Sequence, residues 1–329
     1  MTQYDVVGIG NAIVDVISHA DDSFLDIMGI EKGIMQLVEQ DRSERLYAAM
    51  SDRIQTPGGS VANTLAGIGS LGLPTAFIGR VRDDHLGQFY AQSMKDEGTD
   101  FVNAPIPGGE FPTSRSMIFV SPDGERSMNT YLGISTDLGP SDVPDDVAKN
   151  AKIMFLEGYL FDKDAGKEAF LLASRLTRSN GGMAGIAISD PFCVDRHRPD
   201  FLRMIKDELN FVIGNEAEIR SLFETDDTEL ALSKTADICP LVICTRSGDN
   251  VSLIQNGERV DVPVKRVVPI DATGAGDQFA AGFLYGLATE RDLETCGKMG
   301  VICGAEVVGH IGPRPQANMM ARFRAAGLV

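Results

Sequence analysis

Asp271-Ala272-Thr273-Gly274-Ala275-Gly276-Asp277, followed by Gln278-Phe279-Ala280-Ala281-Gly282-Phe283-Leu284-Tyr285-Gly286-Leu287, reads as a loop that stops at the entrance of an apolar helix. The first N–H groups of a helix have no intrahelical partner, and the aligned peptide dipoles place about half a positive charge there, so a phosphate can sit on the turn. Gly274 and Gly276 let the backbone approach it with no Cβ in the way. A carboxylate at this spot repels a phosphate, so Asp277 makes sense if a hydroxyl lies between the two. Phosphoryl transfer to an alcohol follows. The structural alternative is that Asp277 only caps its helix, an effect of about 0.3–1 kcal/mol. No Gly-Lys-Ser/Thr ending follows the glycines, so the run is not a Walker loop.

Working outward, Val6-Val7-Gly8-Ile9-Gly10 opens as a buried strand, and short apolar runs recur at 75–81, 153–156, 185–189, 210–213 and 241–245. Helical periodicity fills the intervals at 84–97, 165–177 and 198–209. This alternation predicts an α/β protein with a parallel sheet covered on both faces and ligands at the carboxyl ends of its strands. One segment breaks the rhythm: 115–120 and 125–131 read as two strands joined by Ser121-Pro122-Asp123-Gly124, a hairpin. With the apolar piece 33–38 it could form a small sheet closing over the site, or be an ordinary edge hairpin. No interdomain linker is evident, and 1–329 is read as a single domain with a lid made by about 28–40 and 103–131.

The chain has 329 residues, 43% of them hydrophobic, enough for a large core, and a net charge of -17 that argues against nucleic acid as partner. Any bound anion must be met locally. Cys193, Cys239, Cys244, Cys296 and Cys303 are odd in number and without C-x-x-C spacing, so neither a disulfide framework nor a zinc site is expected. No apolar stretch approaches the roughly 18 residues of a membrane span, and a cytoplasmic protein is the default reading.

Other motifs carry two readings each. Gly67-Ile68-Gly69-Ser70-Leu71-Gly72 matches G-x-G-x-x-G in letters only, because it ends a helical pattern instead of following a strand, and Gly8-Ile9-Gly10 lacks the third glycine. A nicotinamide enzyme is therefore not expected. Gly58-Gly59-Ser60-Val61-Ala62-Asn63 opens a helix; either Ser60 is its N-cap, or the glycines admit a ligand whose hydroxyls meet Asn63, Asn11 and Asp15. Asn215-Glu216-Ala217-Glu218 stands at another helix start, where carboxylates suit water-coordinated Mg²⁺ or simple capping. Arg126 could reach a transferring phosphoryl group from the hairpin, or be solvated.

Together these motifs resemble the ribokinase-like (PfkB) family of carbohydrate and nucleoside kinases, along nearly the whole chain. The run 271–277 is similar to its C-terminal signature; Gly58-Gly59 with Asn63, Ala66 and Leu71-Gly72 resembles its N-terminal one; 77–84 and 215–218 resemble further segments. The resemblance implies a ribokinase-like three-layer α/β/α sandwich with a central, mostly parallel sheet and a small β lid. It implies Asp277 as the base, the backbone of Gly274, Ala275 and Gly276 as the anion hole, ATP with Mg²⁺ organised through water by Asn215 and Glu218, and a potassium site near Asp271, Thr273 and Gly312.

Within that family Gly10-Asn11-Ala12-Ile13-Val14-Asp15, Glu125-Arg126-Ser127-Met128 and Glu157-Gly158-Tyr159-Leu160 look most like adenosine kinase-related members. Those members hold ribose with residues matching Asn11, Asp15, Gly58, Gly59 and Asn63 and stack the base on an aromatic at a position like Tyr159. Met117, Phe119 and Met128 would add an apolar wall, or serve as lid core. Thr245, Gly248 and Gly309 fall on the nucleotide side, where Arg246 departs from the family's pattern of glycine soon after the threonine. The expected activity is ATP-dependent phosphorylation of the primary hydroxyl of a nucleoside. A sugar kinase of ribokinase or fructokinase type, a catalytically inactive ligand sensor and a homodimer formed through the lid are the alternatives.

Overall fold

The computed structural model describes residues 4–329, so the first three residues of the 1–329 span lie outside the description. Among the described residues, fourteen strands fall in two sheets. They are β1 (Tyr4–Ile9), β2 (Ile13–His19), β3 (Met35–Leu37), β4 (Ile54–Gly58), β5 (Thr75–Ile78), β6 (Thr99–Phe101), β7 (Ser114–Val120), β8 (Arg126–Tyr131), β9 (Ala151–Glu157), β10 (Met183–Ala187), β11 (Phe211–Asn215), β12 (Leu241–Arg246), β13 (Asp249–Gln255) and β14 (Glu258–Val262). Three helices matter most for the early chain: α1 (Asp22–Met28), α2 (Gln40–Ala49) and α3 (Ser60–Ser70).

The larger sheet runs β14-β13-β12-β11-β10-β9-β1-β5-β6, parallel throughout except for the β12-β13-β14 edge. Its central strands are apolar on both faces because both are covered. In β9, Met154 and Leu156 join a core with Phe170 and Phe201, while Ile153 and Phe155 join one with Leu65 and Phe283. Burial of each such side chain contributes about 1.5–3 kcal/mol. The three-layer α/β reading of the sequence is what the chain adopts.

The β13-β14 hairpin went unread in the sequence, although Asn256-Gly257 signals it: φ is +50° and +85° at the two residues, the doubly left-handed pair of a tight hairpin turn. The helical pattern read at 198–209 is part of a longer helix, Pro191–Glu208, which breaks at His197 (φ -127°, ψ 19°), two residues before Pro199. A proline in a helix interior removes a donor and crowds the preceding turn.

The smaller sheet runs β3-β8-β7-β2-β4. It contains the hairpin and the 35–37 piece, and it also draws in β2 and β4, which the sequence reading left out of it. Registers divide its residues by face. Ile54, Ile17, Ile118, Met128 and Met35 stand opposite one another across all five strands, and the next row on the same face is Thr56, Asp15, Ser116, Thr130 and Leu37. The opposite face carries Val14, Val16, Met117 and Phe119 into a core with Leu25 of α1 and Leu46 of α2. No helix among the described residues is long and apolar enough to cross a membrane.

Candidate active site

β1, β9, β10, β11 and β12 all point their carboxyl ends the same way, and the residues singled out from the sequence gather there. The helix Ala275–Ala288 starts after Gly274, whose φ of +77° is left-handed and whose missing Cβ would lie 2.5 Å from Pro313 Cα. Only glycine fits that turn. Gly276 is exposed, and nothing lies within 4 Å of where its Cβ would be, so the amide side of the turn is open.

Asp277 does not cap its own helix: the N-cap there makes no side-chain hydrogen bond. Its carboxylate instead accepts from Ser60 Oγ (2.7 Å, Oδ1) and Asn63 Nδ2 (2.9 Å, Oδ2), both on α3, while Thr64 Oγ1 donates to its backbone carbonyl at 3.1 Å. Gly67 makes this possible, since a Cβ on it would stand 2.3 Å from Gln278 Oε1 and 2.7 Å from Ala281 Cβ. The two helices can therefore close until their first turns exchange hydrogen bonds. Ser60 is thus not an N-cap; Gly59 (φ +102°) occupies that position and the serine hydroxyl serves Asp277.

Burial pushes the Asp277 carboxyl up to about 6, with Ser60 and Asn63 pulling in the other direction. If Asp277 is the base it acts only when ionised, and kcat/KM should then fall about tenfold per pH unit below about pH 6. Ser60→Ala removes one downward influence and should move that acid limb to higher pH. A pH–rate profile of both proteins checks this, and an unmoved limb would remove Ser60 from the assignment. The same raised value favours the protonated fold: this carboxyl's contribution to stability is full below about pH 4 and disappears as pH rises through about 6.

Two residues outside the quoted signatures hold this arrangement. Arg314 donates to Asn63 Oδ1 (3.3 Å) and Pro57 O (2.7 Å) and pairs with Glu97, which turns the Asn63 amide nitrogen toward Asp277. No local motif marks Arg314. Glu157, the last residue of β9, is 1% exposed and accepts from Asn11 N, Asn11 Nδ2 and Val61 N, pinning the end of β1 to the start of α3. Burial raises its carboxyl to about 7 against those three donors.

The expected substrate residues divide. Asp15 lies on the same face of the smaller sheet as Ile13 and Ile17, packed on Gly58, and burial raises it to about 6 while Arg126 and Arg314 oppose and Asp277 adds. Asn11 is 2% exposed and already engaged, donating to Glu157 and accepting from Ser135 Oγ at 2.9 Å. Tyr159 is 37% exposed, its hydroxyl donating to Ser189 O at 3.2 Å. Met128 is on the Asp15 face. Met117 is not: it is fully buried on the helix-covered face, with Ser43 Oγ 3.7 Å from its sulfur, and Phe119 packs beside it against Phe24. The expectation that Met117 lines the site is corrected by strand parity, since it sits one residue out of phase with Ser116 and Ile118.

At the end of β11, Asn215 and Glu218 form a reciprocal capping box, Asn215 N and Nδ2 donating to the Glu218 carboxylate at 2.9 and 2.6 Å. Burial lifts Glu218 to about 7, and Asp190 pushes in the same direction. Thr245 is the last but one residue of β12, and the turn through Gly248 (φ +95°) leads into β13, while Arg246 pairs with Glu229 at 2.8 Å. Gly309 closes the last turn of the helix Leu293–Val307, donating to Glu306 O at 3.0 Å. Gly312 N donates to Asp271 Oδ2 at 3.0 Å, and Arg126 Nη1 reaches the same oxygen at 2.7 Å.

An open helix start with a carboxylate braced inside it, at the carboxyl edge of a three-layer α/β sheet, defines a kinase site of ribokinase-like architecture. The chain belongs to the pfkB family of carbohydrate kinases, whose model matches residues 32–318, and it is an ATP-dependent kinase. A solved structure described as adenosine kinase from Sinorhizobium meliloti is 43% identical, with a TM-score of 0.89 over 98% of this chain and 99% of that one. Another, described as a probable sugar kinase protein from Rhizobium etli CFN 42, is 42% identical with a TM-score of 0.90 over the full length of both. A curated relative from Archaeoglobus fulgidus, an uncharacterized sugar kinase, is 28% identical over 75% of this chain and 96% of its own. The acceptor is thus a sugar or a nucleoside.

Proposed function

We propose that this kinase phosphorylates the primary hydroxyl of a nucleoside, adenosine first. The observation that carries the reading is the pair of rows on one face of the smaller sheet. The row Ile54, Ile17, Ile118, Met128 and Met35 is apolar from edge to edge, and it lies one step from the row in which Thr56, Asp15, Ser116 and Thr130 are polar. Adjacent strands are about 4.8 Å apart, so three of them match the breadth of a purine. A nucleoside has a flat apolar base next to a polyol; a free sugar has only the polyol. The 43% identity to an adenosine kinase supports the same choice.

In this reading Asp277 takes the proton of the acceptor hydroxyl, and the amides of Gly274, Ala275 and Gly276 receive the migrating phosphoryl group. Asp15 holds the sugar hydroxyls on the Gly58-Gly59 turn, and Asn63 fixes Asp277 for them. The smaller sheet, including 28–40 and 103–131, acts as the lid that excludes water, the competing acceptor. Glu218 and Asp190, two neighbouring carboxyls with burial acting on the first, suit a divalent cation, and water-coordinated Mg²⁺ beside Asn215 and Glu218 would neutralise phosphate charge when bound. Free buried thiols at all five cysteines are compatible with a reducing cytoplasm.

A panel of nucleosides and free sugars assayed with ATP tests the acceptor, and far better turnover of a free sugar than of adenosine would overturn the nucleoside reading. A variant sharpens it. Met128→Ser should raise KM for adenosine by about 10–100-fold, the equivalent of losing most of one buried methionine, with much less effect on any free-sugar turnover. Equal effects on both acceptors would put Met128 outside the base-binding wall.

A further inference from the structure

We propose that Arg126 is the protein's own monovalent counter-cation at Asp271, so that this kinase works without potassium. The family resemblance leads one to expect a potassium ion near Asp271, Thr273 and Gly312, and the geometry there does not fit one. Asp271 Oδ1 accepts from Thr273 N at 2.9 Å, and Oδ2 accepts from Gly312 N at 3.0 Å and from Arg126 Nη1 at 2.7 Å. A carboxylate has about four lone-pair sites, and three are turned toward N–H hydrogens. An alkali cation at this carboxylate would have to compete for the one lone-pair site left, beside the guanidinium that already occupies Oδ2. The Thr273 hydroxyl does not help, because Arg126 Nη1 lies 3.4 Å from it as well.

Charge gives the same answer. The ion pair is poorly exposed, 14% for the Arg126 side chain and 9% for Asp271, so solvent and salt screen it weakly. The guanidinium thus already balances the one negative charge, and a second cation placed beside it would be repelled. Arg126 also does what a bound ion could not. It starts β8, so the pair ties the smaller sheet to the loop that ends at Gly274 and sets that loop's position through Thr273 and Gly312.

The test compares potassium, sodium and N-methylglucamine chlorides at equal ionic strength, by turnover and by thermal unfolding of the protein without substrates. Wild type should differ by less than about twofold in rate, and by less than about 1 °C in midpoint, among the three salts. Arg126→Met bares Asp271 and should acquire a potassium-specific rise of about 2 °C or more at salt on the order of 100 mM, as expected of a site of about 10 mM affinity. A wild-type protein that is selectively activated or stabilised by potassium overturns the proposal. So does an Arg126→Met protein that folds and gains no cation response. Should that variant not fold, Arg126→Gln takes its place, and the wild-type comparison depends on neither. The unfolding measurement uses no acceptor, so its outcome is separate from the choice between nucleoside and sugar.

Discussion

Asp277→Asn should lower kcat by about 10²–10⁴-fold while leaving acceptor binding nearly intact. The amide preserves the shape of the side chain and can still accept from Asn63 Nδ2, but it has no charge with which to take a proton. The Ser60 hydroxyl, which now donates to Oδ1 at 2.7 Å, can turn and accept from the new amide group instead. A calorimetric titration of the variant with adenosine, alongside its turnover, separates the two effects. Undiminished turnover would mean that the base is elsewhere, and the assignment of the whole helix start would go with it.

Gly274→Ala and Gly276→Ala should part company. At Gly274 the alanine must adopt φ near +77° with its Cβ at 2.5 Å from Pro313 Cα, so the turn has to move. Left-handed strain costs about 1–3 kcal/mol, and misdirected amides at an oxyanion-type site typically cost about 10²–10³ in kcat. A midpoint several degrees lower and a kcat reduced by that factor are expected. Gly276→Ala meets no neighbour and needs no unusual backbone, so its midpoint should match wild type, while the new methyl stands in the open space beside the amides and weakens ATP use. Unfolding curves and kinetics on the pair check both halves. Equal stability loss in the two variants would show that the open side of the turn is not open.

The parallel sheet was legible in the sequence because both faces of it are covered: Val6, Val7 and Ile9 have no polar alternation, and neither do 153–156 or 241–244. The smaller sheet was half legible. The Pro122-Gly124 turn gave away its hairpin, whereas β4, Ile54-Gln55-Thr56-Pro57-Gly58, looks like a loop leading to a helix, and only pairing with β2 makes it a strand. Met117 was misplaced because a run such as Arg115-Ser116-Met117-Ile118-Phe119 does not say which parity faces the site. Asp277 was found from its own neighbourhood, but Ser60 and Asn63 are 217 and 214 residues away from it, and Arg314 touches Asn63 across 251. Local pattern marks a charged group; only packing reveals what orients it.

The close contact at Gly67 has a consequence for how the molecule acquires activity. The carboxylate and the groups that aim it come from opposite halves of the polypeptide, and they meet only when two helices dock edge to edge. During refolding, secondary structure and even a compact sheet can therefore precede competence, because contacts between sites so distant along the chain form late. Recovery of turnover on refolding is then expected to lag the return of helical circular dichroism, and coincident recovery of the two signals would refute this.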